Sequence, residues 1–143
     1  MIFVVDILKE KGFNFYKVTP NTVTIDALRV MDEKNIGAIL VVEDNKLLGI
    51  FSERDYARKI VLQGKSSTNT QVSEFMTGNV ITVHANTPIT DCMQLMTDKH
   101  IRHLPVIDND EIKGMVSIGD IVSRIIREQK NTIQQLENYI TGS

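Results

Sequence analysis

The sequence predicts an α+β protein in which two pseudo-symmetric β-α-β-β-α repeats pack sheet to sheet, with a short N-terminal helix and an extended C-terminal helix. The stretch GIFSERD at 49–55 recurs as GMVSIGD at 114–120, an offset of 65 positions. The flanking residues align at this offset without a gap, and both copies show the same order of helical and strand-like apolar patterns. A unit of roughly 45 residues buries too little surface alone, so the two copies are expected to pack together.

The aligned copies share identical residues along their whole length. The identical pairs are Asn21 and Asn86, Thr22 and Thr87, Asp26 and Asp91, Met31 and Met96, Lys34 and Lys99, Ile36 and Ile101, Val41 and Val106, Gly49 and Gly114, Ser52 and Ser117, Asp55 and Asp120, and Ile60 and Ile125.

Helices are predicted at the start of the chain and at the start of each repeat. Residues 3–11 are expected to form a short leading helix. The segments TVTIDALRVMDEKN and TPITDCMQLMTDKH both read as amphipathic helices. In the first, Ile25, Leu28 and Met31 recur at helical spacing. In the second, Pro88 stands near the helix start, where its missing N–H is harmless.

Two short apolar runs joined by a polar turn follow each of these helices. The first copy reads AILVV, EDNK and LLGIF, and the second reads LPVI, DNDE and IKGMV. Branched apolar runs on either side of a polar turn predict a strand, a turn and a strand. Each copy then closes with a helix after its repeated serine, SERDYARKIVLQ in the first and SIGDIVSRIIREQ in the second.

The last helix is expected to continue past the second repeat to about residue 140. Its apolar positions lie between polar ones and could pack on the same chain or on a second chain. We favour the second chain, because a protruding amphipathic helix exposes a patch that a partner would cover. These positions are Ile121, Ile125, Ile133, Leu136 and Ile140.

The predicted organisation has five segments. They are an N-terminal helix and lead-in over 1–17, the first repeat over 18–63, a linker over 64–79 with a polar start, the second repeat over 80–127, and a C-terminal helical extension over 128–143.

Composition restricts the class of protein. The 143 residues carry a net charge of −2, which provides no basic field for nucleic acid, so no nucleic-acid partner is expected. Cys92 is the single cysteine and cannot form an internal disulfide, which suits a reducing cytoplasm. The chain shows neither a signal-peptide pattern nor an apolar run of roughly 20 residues, so we expect a cytoplasmic protein without a membrane partner.

The repeated Ser and Asp allow two interpretations. Ser52 and Asp55 have the spacing of a helix capping box, which would be purely structural. The same geometry could bind a ribose phosphate, because a helix start and a hydroxyl attract phosphate while a carboxylate accepts hydrogen bonds from a vicinal diol. A cap does not explain Gly49 and Gly114, since glycine within a strand often marks the close approach of a ligand or a backbone.

The two copies differ in the charge that follows the serine. Arg54 belongs to the first heptad, whereas Gly119 replaces it in the second. Arg58 and Lys59 either strengthen the attraction for phosphate or form an ordinary solvated helix face. We therefore expect unequal sites, with the one at Asp55 the stronger.

These motifs resemble a tandem pair of cystathionine β-synthase (CBS) domains, the Bateman module. The resemblance rests on two copies of the heptad without a gap, and on IRHLPVID before the second, and it covers residues 18–127. The chain is similar to stand-alone bacterial CBS pairs. The resemblance implies a regulatory module for signal transduction or energy sensing that binds AMP, ADP, ATP or NAD, forms a homodimer and acts on an unidentified regulated protein.

The resemblance also assigns residues to two clefts between the repeats. The Asp55 cleft would contain Ser52, Arg54 and Asp55 for ribose and phosphate, with Ile50, Thr87, Cys92, Ile101, Arg102 and His103 around the adenine. The Asp120 cleft would contain Ser117 and Asp120, with Met115, Thr22, Ala27, Ile36, Gly37 and Ala38. Pro105 in the second copy has no counterpart in the first, so the strand entrances are expected to differ.

Catalysis is not expected. The three histidines, His84, His100 and His103, include one His-x-x-His pair, which without a fixed carboxylate or cysteine is weak evidence for a metal. No nucleophile elbow, Walker A loop or dinucleotide fingerprint is present. We therefore predict no catalytic residues, no metal and no catalytic cofactor. The alternative to a nucleotide sensor is a ligand-independent dimerisation or docking module for a partner protein.

Overall fold

The structure is a computed structural model that describes residues 1–142. Its elements in chain order are α1 (Val4–Lys11), β1 (Lys17–Val18), α2 (Thr24–Lys34), β2 (Ala38–Glu43), β3 (Lys46–Ser52), α3 (Glu53–Asp55) with a π-helical continuation (Tyr56–Val61), α4 (Val72–Phe75), α5 (Ile89–Lys99), β4 (His103–Asp108), β5 (Glu111–Ser117) and α6 (Ile118–Thr141). The predicted α+β class, the leading helix and the long final helix are confirmed.

The two repeats build matching small sheets. In the first, β1 pairs with β2 in parallel and β2 pairs with β3 antiparallel. In the second, β4 and β5 pair antiparallel, and Val83 alone supplies the parallel bridge, to Val106. Both hairpins turn through two residues with positive φ, which is the geometry of a type I′ turn. Asn and Asp occupy these positions because they tolerate the left-handed region.

The lead segments are exchanged between the repeats. Helix α1 precedes the first repeat but packs on the second, where Val4 N donates to the carbonyl oxygen of Thr87 at 2.9 Å. Helix α4 precedes the second repeat but packs on the first, where Val72 N donates to the carbonyl oxygen of Thr22 at 3.0 Å. Leu8 is buried in the second core and Val72 in the first. Each core is therefore completed by the segment that leads into the other repeat.

The segment predicted as a linker is more ordered than its polar composition indicates. Thr70 is buried, and its hydroxyl shares a hydrogen bond of 2.8 Å with the hydroxyl of Thr24. Helix α4 follows within the same segment. The domain boundaries at 64 and 79 stay a prediction, but this part of the chain also contributes to the first repeat.

The closing helix of the first repeat differs from the prediction in its winding. After α3, Leu62 N donates to the carbonyl oxygen of Ala57 and Lys65 N to that of Ile60, bonds that span five residues instead of four. Such wide turns often occur at functional sites. Here the turn follows directly after Asp55.

Helix α6 extends beyond the body of the domain. Ile121 is fully buried, whereas Ile133, Leu136 and Ile140 are 56%, 57% and 80% exposed. The predicted extension to about residue 140 agrees with the structure. Over residues 1–142, no helix combines the length and the apolar content that crossing a bilayer requires.

Candidate functional site

A cavity of about 1100 Å³ lies between the two repeats at the Asp55 heptad. This volume is large enough for a nucleotide-sized ligand. We keep the name Asp55 cleft for this cavity. Its lining is contributed by Gly37, Ile50, Ser52, Glu53, Arg54, Asp55, Arg58 and Lys59 from the first repeat and by Thr77, Asn79, Val80, Ile81, Lys99, His100, Ile101, Arg102 and His103 from the second half of the chain.

Ser52 and Asp55 form the capping box that their spacing predicts. Asp55 N donates to Ser52 Oγ at 3.1 Å, and Ser52 N donates to Asp55 Oδ2 at 3.0 Å. The second oxygen, Oδ1, lies 3.0 Å from Lys59 Nζ and 3.5 Å from Thr77 Oγ1. A carboxylate has about four acceptor positions. The structural cap therefore leaves acceptor capacity at Oδ1 for further donors.

The lining of the Asp55 cleft is strongly cationic. Five Lys and Arg side chains face two carboxylates, those of Glu53 and Asp55. Burial lowers the pKa of His103 below its ordinary value, the charges of Lys11 and Arg102 lower this pKa further, and Asp120 raises it. His103 is therefore neutral at pH 7 and adds no charge. The excess of positive charge favours an anionic ligand.

Arg54 connects the two repeats across the cleft. Its Nη1 donates to the carbonyl oxygen of His100 at 3.1 Å. His100 ends α5 in the left-handed conformation, with φ of 54°. The only arginine of either heptad thus contacts the end of the opposite repeat's helix.

A family profile for the CBS domain matches residues 4–62 and again residues 72–127. The chain belongs to the CBS-domain family. The CBS domain-containing protein CBSX3, mitochondrial, of Arabidopsis thaliana is 44% identical over 147 residues, which cover 96% of this chain and 71% of that protein. The CBS domain-containing protein YhcV of Bacillus subtilis (strain 168) is 33% identical over 126 residues, which cover 88% of this chain and 82% of that protein.

Solved structures of CBS-domain proteins share this fold. One from Burkholderia ambifaria MC40-6 is 46% identical with a TM-score of 0.86, covering 90% of this chain and 96% of that chain. The CBS domain pair of protein MJ0100, in complex with 5′-methylthioadenosine and S-adenosyl-L-methionine, is 28% identical with a TM-score of 0.79, covering 90% of this chain and 98% of that chain. This CBS pair therefore has neighbours both with and without a named adenosine ligand.

The Asp55 cleft contains most of the residues assigned to it from the sequence of the CBS pair. The structure brings together Ile50, Ser52, Arg54, Asp55, Ile101, Arg102 and His103. Thr87 and Cys92 do not line it. Thr87 Oγ1 instead accepts a hydrogen bond from His84 N at 3.0 Å. Cys92 is fully buried in the second core, and burial raises the pKa of its thiol to about 11.

The Asp120 cleft differs more from its assignment. Its cavity of about 320 Å³ is lined by Ser117 and Asp120 together with residues of α1 and α6, and not by the first repeat. The residues assigned from the first repeat have other places. Thr22 Oγ1 accepts from Thr19 N, Ala27 is buried in the first core, Ile36 packs against that core, Ala38 is buried opposite Ser52, and Gly37 lies against the His103 ring in the Asp55 cleft. Met115 contributes its carbonyl oxygen, which accepts from Lys11 Nζ.

Sequence reasoning missed the stretch 77–81 of the Asp55 cleft. Thr77 pairs with Ile50 through two backbone hydrogen bonds of 3.0 and 2.8 Å, so the chain ahead of the second repeat crosses the first heptad. Asn79, Val80 and Ile81 follow along the cavity wall. Lys99, His100 and Glu53 also line the cleft and were missed, whereas Arg58 and Lys59, which the sequence left as candidates for phosphate attraction, line it too. The repeated glycine at 49 was the available signal, because it marks a close backbone approach.

Proposed function

We propose that this CBS pair binds an adenine nucleotide in the Asp55 cleft and acts as a non-catalytic regulatory module. One observation carries the proposal: a cavity of about 1100 Å³ combines the Ser52–Asp55 heptad with cationic and apolar side chains of the opposite repeat. The candidate ligands are AMP, ADP, ATP and NAD. The ligands named for the MJ0100 structure support an adenosine class.

Residues that suit each part of such a ligand line the cleft. Asp55 Oδ1 would accept the ribose diol, with Lys59 and Thr77 beside it. Ile50, Ile81 and Ile101 provide apolar surface for the base. Arg54 and Arg58, which also line the cleft, would bind the phosphates.

The charge of the cleft argues for a ligand with several phosphates. Five cationic side chains against two carboxylates attract ATP more strongly than AMP. They disfavour S-adenosylmethionine, which carries a positive sulfonium. We therefore expect affinity to fall from ATP to AMP and further to S-adenosylmethionine.

The Arg54–His100 contact provides a route from binding to signalling. A phosphate in the cleft competes with the His100 carbonyl oxygen for the Arg54 guanidinium. Charge-assisted hydrogen bonds to phosphate are stronger than bonds to a carbonyl. Binding would thus change a contact between the repeats, and a regulated partner would sense the difference to the extent that the ligand prefers one arrangement.

The proposal is tested by thermal unfolding with AMP, ADP, ATP, NAD and S-adenosylmethionine. A ligand at a hundredfold its Kd stabilises the fold by about 2.7 kcal/mol, roughly 5 to 11 °C in Tm. Asp55→Asn is expected to lower nucleotide affinity at least tenfold, about 1.4 kcal/mol, because the amide loses the charge that holds the diol. The neutral side chain still accepts from Ser52 N, so the cap is retained.

Asp32→Asn is the matched control, since Asp32 is exposed and outside the cleft. Its ligand shift should equal that of the unaltered chain. A shift retained in Asp55→Asn would contradict binding at this carboxylate. No shift with any compound would favour the ligand-independent docking module.

We also propose that α6 joins two copies of the chain as a homodimer, because Ile133, Leu136 and Ile140 are exposed along it. Ile133→Glu is expected to shift the protein from dimer to monomer, since burying an unpaired carboxylate at an interface is costly. Sedimentation velocity measures the change. Gln135→Glu adds the same charge at a polar exposed position and should leave the dimer intact. A monomeric unaltered chain would contradict the proposed interface.

The cytoplasm remains our proposed compartment. It rests on the single cysteine, Cys92, which is buried and has no second cysteine with which to form an internal disulfide. The Arabidopsis relative is named mitochondrial, so localisation of a tagged chain tests this point directly.

A further inference from the structure

The second heptad faces a lysine of the N-terminal helix. Lys11 Nζ lies 2.8 Å from Asp120 Oδ2 and donates to the carbonyl oxygen of Met115 at 2.9 Å. Asp120 is the counterpart of Asp55, and its Oδ2 also accepts from Ser117 N at 2.9 Å. The ammonium thus pairs with the carboxylate that corresponds to Asp55, at the oxygen that also caps α6.

Helix α1 is held in this position by contacts other than Lys11. Leu8 packs over Gly114, whose added Cβ would lie 3.0 Å from Leu8 Cδ2. Glu10 pairs with Arg124 at 2.9 Å and with Arg127 at 2.5 Å on α6. These contacts fix the end of α1 over the second heptad, and Lys11 follows at its last position.

The direction of the pKa shift at Asp120 is consistent with an ion pair between Asp120 and Lys11. Burial raises the pKa of Asp120, but the hydrogen bonds from Lys11 and Ser117 and the charge of Lys11 outweigh this effect, so the pKa lies below its ordinary value. At Asp55 the pairing lysine, Lys59, belongs to the same helical segment and faces the large cleft. At Asp120 the lysine arrives from another element and the cavity is only about 320 Å³.

We propose that Lys11 is an internal occupant of the Asp120 cleft, which limits the chain to one nucleotide. This inference rests on the proposed function of the Asp55 cleft. Lys11 holds the Asp120 carboxylate, so its ammonium competes with a ribose diol for this carboxylate. A ribosyl ligand binds the second heptad only when the Lys11 contact is removed.

The test is the number of ATP molecules bound per chain, measured by isothermal titration calorimetry. We expect one for the unaltered chain and two for Lys11→Met, with methionine retaining most of the side-chain length. Lys9→Met is the matched control on α1, and it should still bind one. In the Asp55→Asn background, Lys11→Met should bind ATP at the second cleft with the same affinity as in Lys11→Met alone, because only the Asp55 cleft is weakened.

The outcomes separate the two proposals. If the unaltered chain and Lys11→Met each bind one ATP, the proposed role of Lys11 is wrong. It is also wrong if the unaltered chain binds two. No ATP in the unaltered chain but one in Lys11→Met overturns the Asp55 cleft and supports Lys11 as the occupant. Absence of binding in every variant overturns both. The Asp120 pKa, followed by NMR without ligand, should rise in Lys11→Met, and an unchanged pKa also argues against the contact.

Discussion

Replacing Gly49 with alanine is expected to destabilise the fold by about 2 kcal/mol and to lower the Tm by roughly 4 to 8 °C. A Cβ at this position would lie 2.8 Å from the carbonyl oxygen of Thr77 and 2.6 Å from Met76 Sδ. Met76 can rotate away, but Thr77 is fixed by its two backbone hydrogen bonds to Ile50. The backbone must therefore shift, and the cleft wall that begins at Thr77 shifts with it.

Gly78→Ala is the matched control, because a Cβ at Gly78 has no atom within 4 Å. Chemical denaturation of both variants gives the comparison. Alanine at 78 should change the free energy of unfolding by less than about 0.5 kcal/mol. Equal, small effects at both positions would show that the glycine is not required by the crossing chain.

The repeated glycine at position 49 could be identified from the sequence, but the chain that packs against it at Thr77 could not. Alignment at an offset of 65 revealed the two repeats and all their main elements. The lead segments fall outside that alignment, since Val72 stands 68 positions after Val4 although the two make equivalent contacts. A pattern search at one offset therefore misses the exchange of α1 and α4. It also misses 77–81 and Lys11, which depend on this exchange.

Of the residues assigned by resemblance to the CBS family, some form the contacts that their spacing predicts and others do not. Ser52, Asp55 and their counterparts form capping boxes, as the spacing predicts. Thr22 and Thr87 were assigned to ligand contacts, but their hydroxyls accept from the backbone N–H groups of Thr19 and His84. A threonine that closes a turn and one that faces a ligand look identical in sequence. Only the packing of the loop distinguishes the two.

Reversing the charge of Arg54 is expected to separate phosphate recognition from adenosine recognition. Arg54→Glu removes one of five cations in the Asp55 cleft and adds a third carboxylate. Loss of a charge-assisted hydrogen bond together with new repulsion corresponds to about 2.7 kcal/mol, a hundredfold in ATP affinity. Adenosine has no phosphate, so its affinity should change less than about threefold. Titration calorimetry with both compounds, at low and high salt, measures the difference.

Arg29→Glu is the matched charge reversal, because Arg29 is exposed on α2, pairs with Asp26 and lies outside the cleft. It changes the net charge equally and should leave ATP affinity within about threefold. If Arg54→Glu weakens ATP and adenosine by the same factor, Arg54 acts through its bond to the His100 carbonyl oxygen, by holding the repeats together. A selective loss of ATP affinity that shrinks at high salt instead assigns Arg54 to the phosphates. In that case ligand binding breaks the contact between the repeats, because the phosphates bind Arg54 in place of the His100 carbonyl oxygen.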